Sequence, residues 1–139
     1  MTDREAVELL DRRHVDAALA KDVDAFLATV TDDCVLMPPH DRGARGREAV
    51  REWATGFFGN FTIQKLEFPS TTLHVDRDWA FKHYTYDWTV VPDASGAQIR
   101  DRGNGMYVYQ RLSSSFSAST WVNPKDPKFR TCTNFVNVP

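Results

Sequence analysis

The chain has 139 residues, of which 42% are hydrophobic and 26% charged, with a formal net charge of −2. That length predicts one domain, residues 1–139, of ordinary soluble globular composition. The charge offers no footprint for nucleic acid or an anionic membrane, and no apolar run is long enough to span a bilayer, so neither is an expected partner.

The opening segment MTDREAVELL is acidic and polar and does not read as a secretory signal, so a cytoplasmic location is expected. Cys34 and Cys132 lie far apart and match no metal or redox spacing, which predicts a reduced pair. The four histidines have no ligand spacing, and no phosphate loop or nucleophile elbow is present, so no metal and no cofactor are expected.

Thr2 and Glu5 have the capping-box spacing and predict a first helix. Val7, Leu10, His14 and Ala17 recur at steps of three and four and mark its apolar stripe. Lys21-Asp22 ends it, and Asp22 caps a short second helix carrying Val23, Phe26, Leu27 and Val30. Thr31 to Asp33 reads as a turn and Cys34 to Met37 as a strand stopped by Pro38-Pro39. The loop HDRGARG follows, basic through His40, Arg42, Arg45 and Arg47, and is placed to hold an anion or simply to be solvated. Arg47 to Phe58 reads as a third helix with Val50, Trp53, Ala54 and Phe57 buried, ended by Gly59-Asn60.

Beyond that the period switches to two. Phe61 to Phe68 and Thr71 to Val75 read as strands separated by Pro69-Ser70, and Asp76 to Asp78 as a turn. In the strand from Trp79 to Pro92, Phe81, His83, Thr85 and Asp87 share one face and Lys82, Tyr84, Tyr86 and Trp88 the other. The ionisable first set is assigned to a pocket. The second set, with Met106 and Val108 of the next strand, is assigned to an outer face that makes a homodimer. Gln98 to Arg111 is that next strand, with Gly103 and Gly105 marking a bulge or bend. The tail, residues 112–139, shows no sustained period. It contains one further strand around Phe116 to Val122 and a last fifteen residues that are extended, exchanged with a partner or poorly ordered.

Helices first and antiparallel strands after predict an α+β fold. The run AALAKDVDAFLATVTDDCVLMPP, the opening GREAV of the third helix and the later strand GMYVY resemble the nuclear transport factor two-like superfamily. Its members include ketosteroid isomerases, limonene epoxide hydrolases and SnoaL-like polyketide cyclases. The likeness runs over residues 5–111. It implies a cone-shaped α+β barrel, with the N-terminal helices packed in the concave face of a curved, mostly antiparallel sheet around a deep apolar cavity, often dimeric.

Carried over residue by residue, the resemblance is partial. His14 stands where the isomerases have a helix tyrosine that donates to the substrate oxyanion. Met37-Pro38-Pro39 stands in place of their catalytic carboxylate, and Gly105 near their second acid. Asp87 matches one aspartate of the epoxide hydrolases, whose arginine falls on Thr85 and whose second aspartate falls near Thr120-Trp121.

His14 reads as a core histidine or as a pocket-floor acid or base. Asp87 reads as a pocket carboxylate or a strand-end residue, and His83 shares its face. Asp101 reads as a salt-bridge partner or as support for the proton-handling pair, and Tyr107 or Tyr109 as a hydrogen-bond donor. Met37, Trp53, Phe57, Phe81, Tyr109 and Trp121 are the expected cavity walls. The function expected is cofactor-free acid–base chemistry (isomerisation, water addition or cyclisation) on a small apolar molecule, with His14 and Asp87 handling the proton. The alternatives are a non-catalytic module for the same ligand, and an association domain with a vestigial pocket.

Overall fold

The structure is a computed structural model that describes residues 2–112 and the backbone of 129–137. Helix α1 is Asp3–Leu19, α2 Val23–Leu27 and α3 Arg47–Asn60; the strands are β1 Val30–Met37, β2 Ala44–Arg45, β3 Phe61–Asp76, β4 Trp79–Pro92, β5 Ile99–Arg111 and β6 Phe129–Asn137. They form one six-stranded sheet in the order β2-β1-β6-β5-β4-β3, antiparallel except for β1 beside β6. This is the expected α+β architecture. No helix among the described residues is long and apolar enough to cross a membrane.

The start of α1 is as the spacing predicts: the Thr2 hydroxyl accepts from the Glu5 amide and the Glu5 carboxylate accepts from the Thr2 amide. Its stripe of Ala6, Val7, Leu10, His14, Ala17 and Ala18 is buried. Leu27, Val50 and Ala54 from the other two helices pack with Leu36, Ile63 and Val90 of the sheet. A second cluster joins Val7 and Leu10 to Tyr84, Tyr86, Tyr107 and Tyr109.

Several boundaries differ from the sequence reading. The two strands expected on either side of Pro69-Ser70 are one, β3. Its pairing with β4 shifts register between Glu67 and Ser70, where Pro69 falls. β3 is an edge strand, and an edge tolerates a residue that cannot donate to the ladder. The turn expected at Thr31 to Asp33 lies inside β1, which starts at Val30 and absorbs the irregularity as a register shift against β6. The glycines of β5 produce no bulge against β4, because the pairing from Trp79↔Gln110 to Val90↔Ile99 is unbroken. The C-terminal segment read as aperiodic supplies β6, which lies between β1 and β5. The strand expected around Phe116 to Val122, and Trp121 with it, lie outside the described residues.

Candidate functional site: an aromatic cavity floored by a histidine

The face assignment on β4 is reversed in the structure. Ala80, Lys82, Tyr84 and Tyr86 are buried beneath the helices, whereas Phe81 and His83 are exposed. Antiparallel partners share a face. Tyr84 lies opposite Gly105, and Lys82 opposite Tyr107, so the inner face of β4 joins the inner face of β5. Asp87 lies opposite Arg102 on the outer side. There its carboxylate accepts from Arg100 at 3.2 and 2.8 Å and from Lys65 at 3.3 Å, with Arg102 also at 3.3 Å. These contacts, the Arg100 hydrogen bonds foremost, hold its pKa well below the usual carboxylate range. Asp87 and His83 are therefore separated from the cavity by the sheet itself. The outer face expected from Lys82, Tyr84, Tyr86 and Trp88 is corrected in the same step: those four face inward.

The cavity has a free volume of about 90 Å³ and lies between the inner face of the sheet and the helices. Trp53, Phe57, Leu66 and Trp88 form an aromatic-rich wall, and Pro38 and Pro39 close another side. Phe57 stacks on Trp53 at 5.1 Å and on Trp88 at 6.1 Å. Of the walls expected from sequence, Trp53 and Phe57 line the cavity. Met37 and Phe81 do not: each is at least one-third exposed, Met37 at the end of β1 and Phe81 on the outer sheet face. Tyr109 is fully buried behind the lining.

The polar groups on the wall are His14, Tyr84, Tyr86 and Tyr107. His14 Nδ1 is 2.7 Å from the Thr29 hydroxyl, which itself donates to the Phe26 carbonyl at 2.6 Å. With its proton committed there, Thr29 can only accept from the imidazole. Nδ1 therefore carries the hydrogen and Nε2 the lone pair. No hydrogen bond reaches Nε2 from the described residues. Burial, and next the charge of Lys82, push the His14 pKa down to about 4, so the ring is neutral at pH 7.

Tyr84 and Tyr107 are stacked at 5.0 Å, and both phenols are held above their usual pKa mainly by burial. The Tyr84 ring lies directly over Gly105, where any Cβ would collide with the phenol. The glycine is needed for this close approach and not for a bend. Behind the tyrosines lies a buried ion pair that the sequence reading missed. Lys82 Nζ donates to Asp11 at 2.7 Å, and the other Asp11 oxygen accepts from the Tyr109 hydroxyl.

Asp101 is inward-facing, as alternation predicts, and acts at the rim: it accepts from Tyr86 at 3.1 Å and pairs with His40 at 3.3 Å. On the other side of that loop Asp41 accepts from the Trp53 indole at 3.0 Å. The chain is thus tied down just after Pro38-Pro39. Gly43 (φ 82°) lets the loop return against β1, since a Cβ there would stand 2.6 Å from the Leu36 carbonyl oxygen. The basic side chains expected to share an anion are dispersed, His40 to Asp101 and Arg47 to Asp32 at 3.6 Å. No group of three or more potential metal ligands occurs among the described residues.

Solved structures of similar fold are numerous. The chain is similar to a ketosteroid isomerase-like protein from Erwinia carotovora atroseptica (20% identity, 97% of this chain and 96% of that one, TM-score 0.74). It is also similar to a nuclear transport factor 2 (NTF2-like) superfamily protein from Salmonella enterica (15%, 99% and 90%, 0.76). An NTF2-like protein from Cytophaga hutchinsonii matches over the full length of both chains at 9% identity, with a TM-score of 0.75. Identities this low show a shared fold alone. No curated protein matches the sequence. The sequence profile of the SnoaL-like domain matches residues 12–111, which takes in His14, the inner tyrosines and most of the cavity wall. The chain belongs to the SnoaL-like domain family.

Proposed function

We propose that this domain is a cofactor-independent acid–base enzyme for a small, largely apolar molecule, with His14 as the group that takes the proton. The observation that carries the reading is the locked tautomer: a neutral imidazole in an aromatic cavity, its Nδ1 hydrogen on Thr29 and its Nε2 lone pair unclaimed by the described residues. A base with a pKa of about 4 is fully deprotonated at neutral pH. Its basicity is that of a carboxylate, which suffices where the site stabilises the charge left behind. The Tyr84 and Tyr107 hydroxyls, with the Lys82 cation behind them, are the groups that stabilise an oxyanion forming on the substrate. Isomerisation, water addition and cyclisation all fit this pairing of base and donors. Asp101 supports the rim through Tyr86. Asp87 has no part in the chemistry.

The free volume is below the roughly 150 Å³ of a hollow that admits benzene. A ligand of one ring therefore requires a small outward shift of the wall. The test is a panel of monocyclic ketones, enones and epoxides offered to the native chain and to Ala18→Phe, which fills the cavity from α1. Turnover of a panel member by the native chain and its loss in the variant is the expected result. A panel member bound tightly yet recovered unchanged would instead favour a non-catalytic ligand carrier.

The proposed homodimer, if formed through the sheet, rests on the corrected outer face, where Phe81 and Met106 are exposed beside Val108. Sedimentation of the native chain as a dimer and of Phe81→Glu as a monomer is expected; a monomeric native chain removes the dimer.

A further inference from the structure

Lysine is among the residues least often buried, and one placed under a sheet needs a reason. Lys82 is 6% exposed. Its ammonium sits over three aromatic faces, 4.7 Å from the Phe68 centroid, 5.4 Å from Tyr84 and 5.3 Å from Tyr107. A methionine would pack there without the cost of desolvating a charge, so packing alone does not account for the residue. The Tyr107 ring that receives this cation also meets the His14 ring edge-on at 5.7 Å. Asp11, the only carboxylate paired with Lys82 among the described residues, precedes His14 by one turn of α1.

We propose that Lys82 is a positioning residue for His14: its charge, seated on the Tyr107 ring that the imidazole also meets, adds to burial in favouring the neutral, proton-accepting form. The inference deepens the reading of His14 as the base and rests on it.

The groups facing His14 can be taken element by element. Asp11 comes from its own helix, Lys82 and Tyr84 from β4, and Tyr107 and Tyr109 from β5. From the α2 side come Phe26 and Thr29, which do not titrate. The three tyrosines are held neutral by burial. Among the described residues that leaves Lys82 and Asp11 as the charges near the imidazole, and after burial it is the Lys82 cation that opposes its protonation. Charges of opposite sign must then have opposite effects when removed, which a purely structural role would not produce.

The test reads the His14 titration by NMR in the native chain and in Lys82→Met, Lys82→Arg and Asp11→Asn. Lys82→Met should raise the His14 pKa by about one unit, the size of a charge–charge term across one shared ring, with Lys82 Nζ 5.3 Å and the imidazole 5.7 Å from the Tyr107 centroid, at an effective dielectric of about 20. Lys82→Arg, which keeps the charge, should leave it near the native value. Asp11→Asn should move it the other way, downward, because the imidazolium then loses the attraction of a negative charge one helical turn away. An unchanged pKa in Lys82→Met overturns the proposal, and so does a rise in Asp11→Asn like that in Lys82→Met, the signature of water entering a loosened core. Should Lys82→Met fail to fold, the direction in Asp11→Asn decides by itself: a fall supports the proposal, and a rise or no change overturns it. The readout involves no turnover, so a failure of the catalytic reading would leave this result standing, and the reverse.

Discussion

Replacing His14 with Gln is expected to remove turnover, while replacing Asp87 with Asn spares it. General-base catalysis contributes on the order of a hundredfold or more, so His14→Gln should lower kcat by at least that factor with the fold intact. Glutamine retains a donor for Thr29 but has no basic lone pair. Asp87 sits across the sheet in a cage of Arg100, Arg102 and Lys65. Asn there should leave kcat within about twofold, an order-of-magnitude expectation for a site remote from the chemistry.

The two variants also separate in acid. The folded pKa of His14, about 4, lies below its ordinary 6.5, so the unfolded chain binds the proton more readily. The resulting stability is fully present above pH 6.5 and is lost as the pH falls toward 4. It amounts to on the order of 3 kcal/mol for a fully buried ring. His14→Gln should flatten the stability curve in that window. Asp87 is also depressed, from a lower starting point, so its contribution is present above about pH 4 and lost only below it. Asp87→Asn should destabilise the neutral protein and flatten only that lower limb. Urea midpoints measured from pH 7 to pH 3 would check both, and a loss of turnover in Asp87→Asn equal to that in His14→Gln would contradict the assignment.

Gly105→Ala is the substitution expected to disturb the fold and the site together. Its new methyl would fall on the Tyr84 ring and hydroxyl. That ring can retreat only toward the cavity: Phe68 stands edge-on at 5.1 Å, Tyr107 is stacked at 5.0 Å, and Lys82 lies over its face. Overpacking of this kind costs about 1–3 kcal/mol, and the phenol must move into the cavity. Gly56→Ala is the control. Gly56 lies inside α3, and nothing stands within 4 Å of the Cβ it would gain, so alanine there should stabilise by about 0.5–1 kcal/mol. Denaturant midpoints of Gly105→Ala, and of Gly105→Ala combined with Tyr84→Ala, check the mechanism. The double variant should lose less than the two single losses added together. A neutral Gly105→Ala would mean that the ring is not confined.

Local signals made much of this fold legible. The capping box of α1, its apolar stripe through Val7, Leu10, His14 and Ala17, the aspartate cap of α2 and the hairpin from Trp79 to Arg111 are all written in short-range spacing. The β6 pairing was not, because a strand that inserts between two others owes its conformation to partners distant in sequence, and its own residues carry little period. Part of the site was legible as well: His14, Tyr107, Trp53 and Phe57 line the cavity.

The misplacement of Asp87 and His83 has a specific cause. Aromatic residues on both faces of β4 left alternation without a preferred side. The signal that resolves it lies in the next strand. Tyr107 and Tyr109 read as inward residues, and the hairpin pairs them with Lys82 and Ala80. An inward Asp87 is incompatible with an inward Tyr107 in that register. The Lys82–Asp11 pair was hidden by the same error, and the Thr29 contact because it joins residues fifteen apart across the turn between α1 and α2.

The central claim is that His14 is a neutral base in a protected hollow. The ¹⁵N shifts of its imidazole, followed with pH in the native chain, test it most directly. The expected result is a ring protonated on Nδ1 alone at pH 7, gaining its second proton near pH 4. A midpoint close to the ordinary 6.5, or a neutral ring carrying its hydrogen on Nε2, would contradict it.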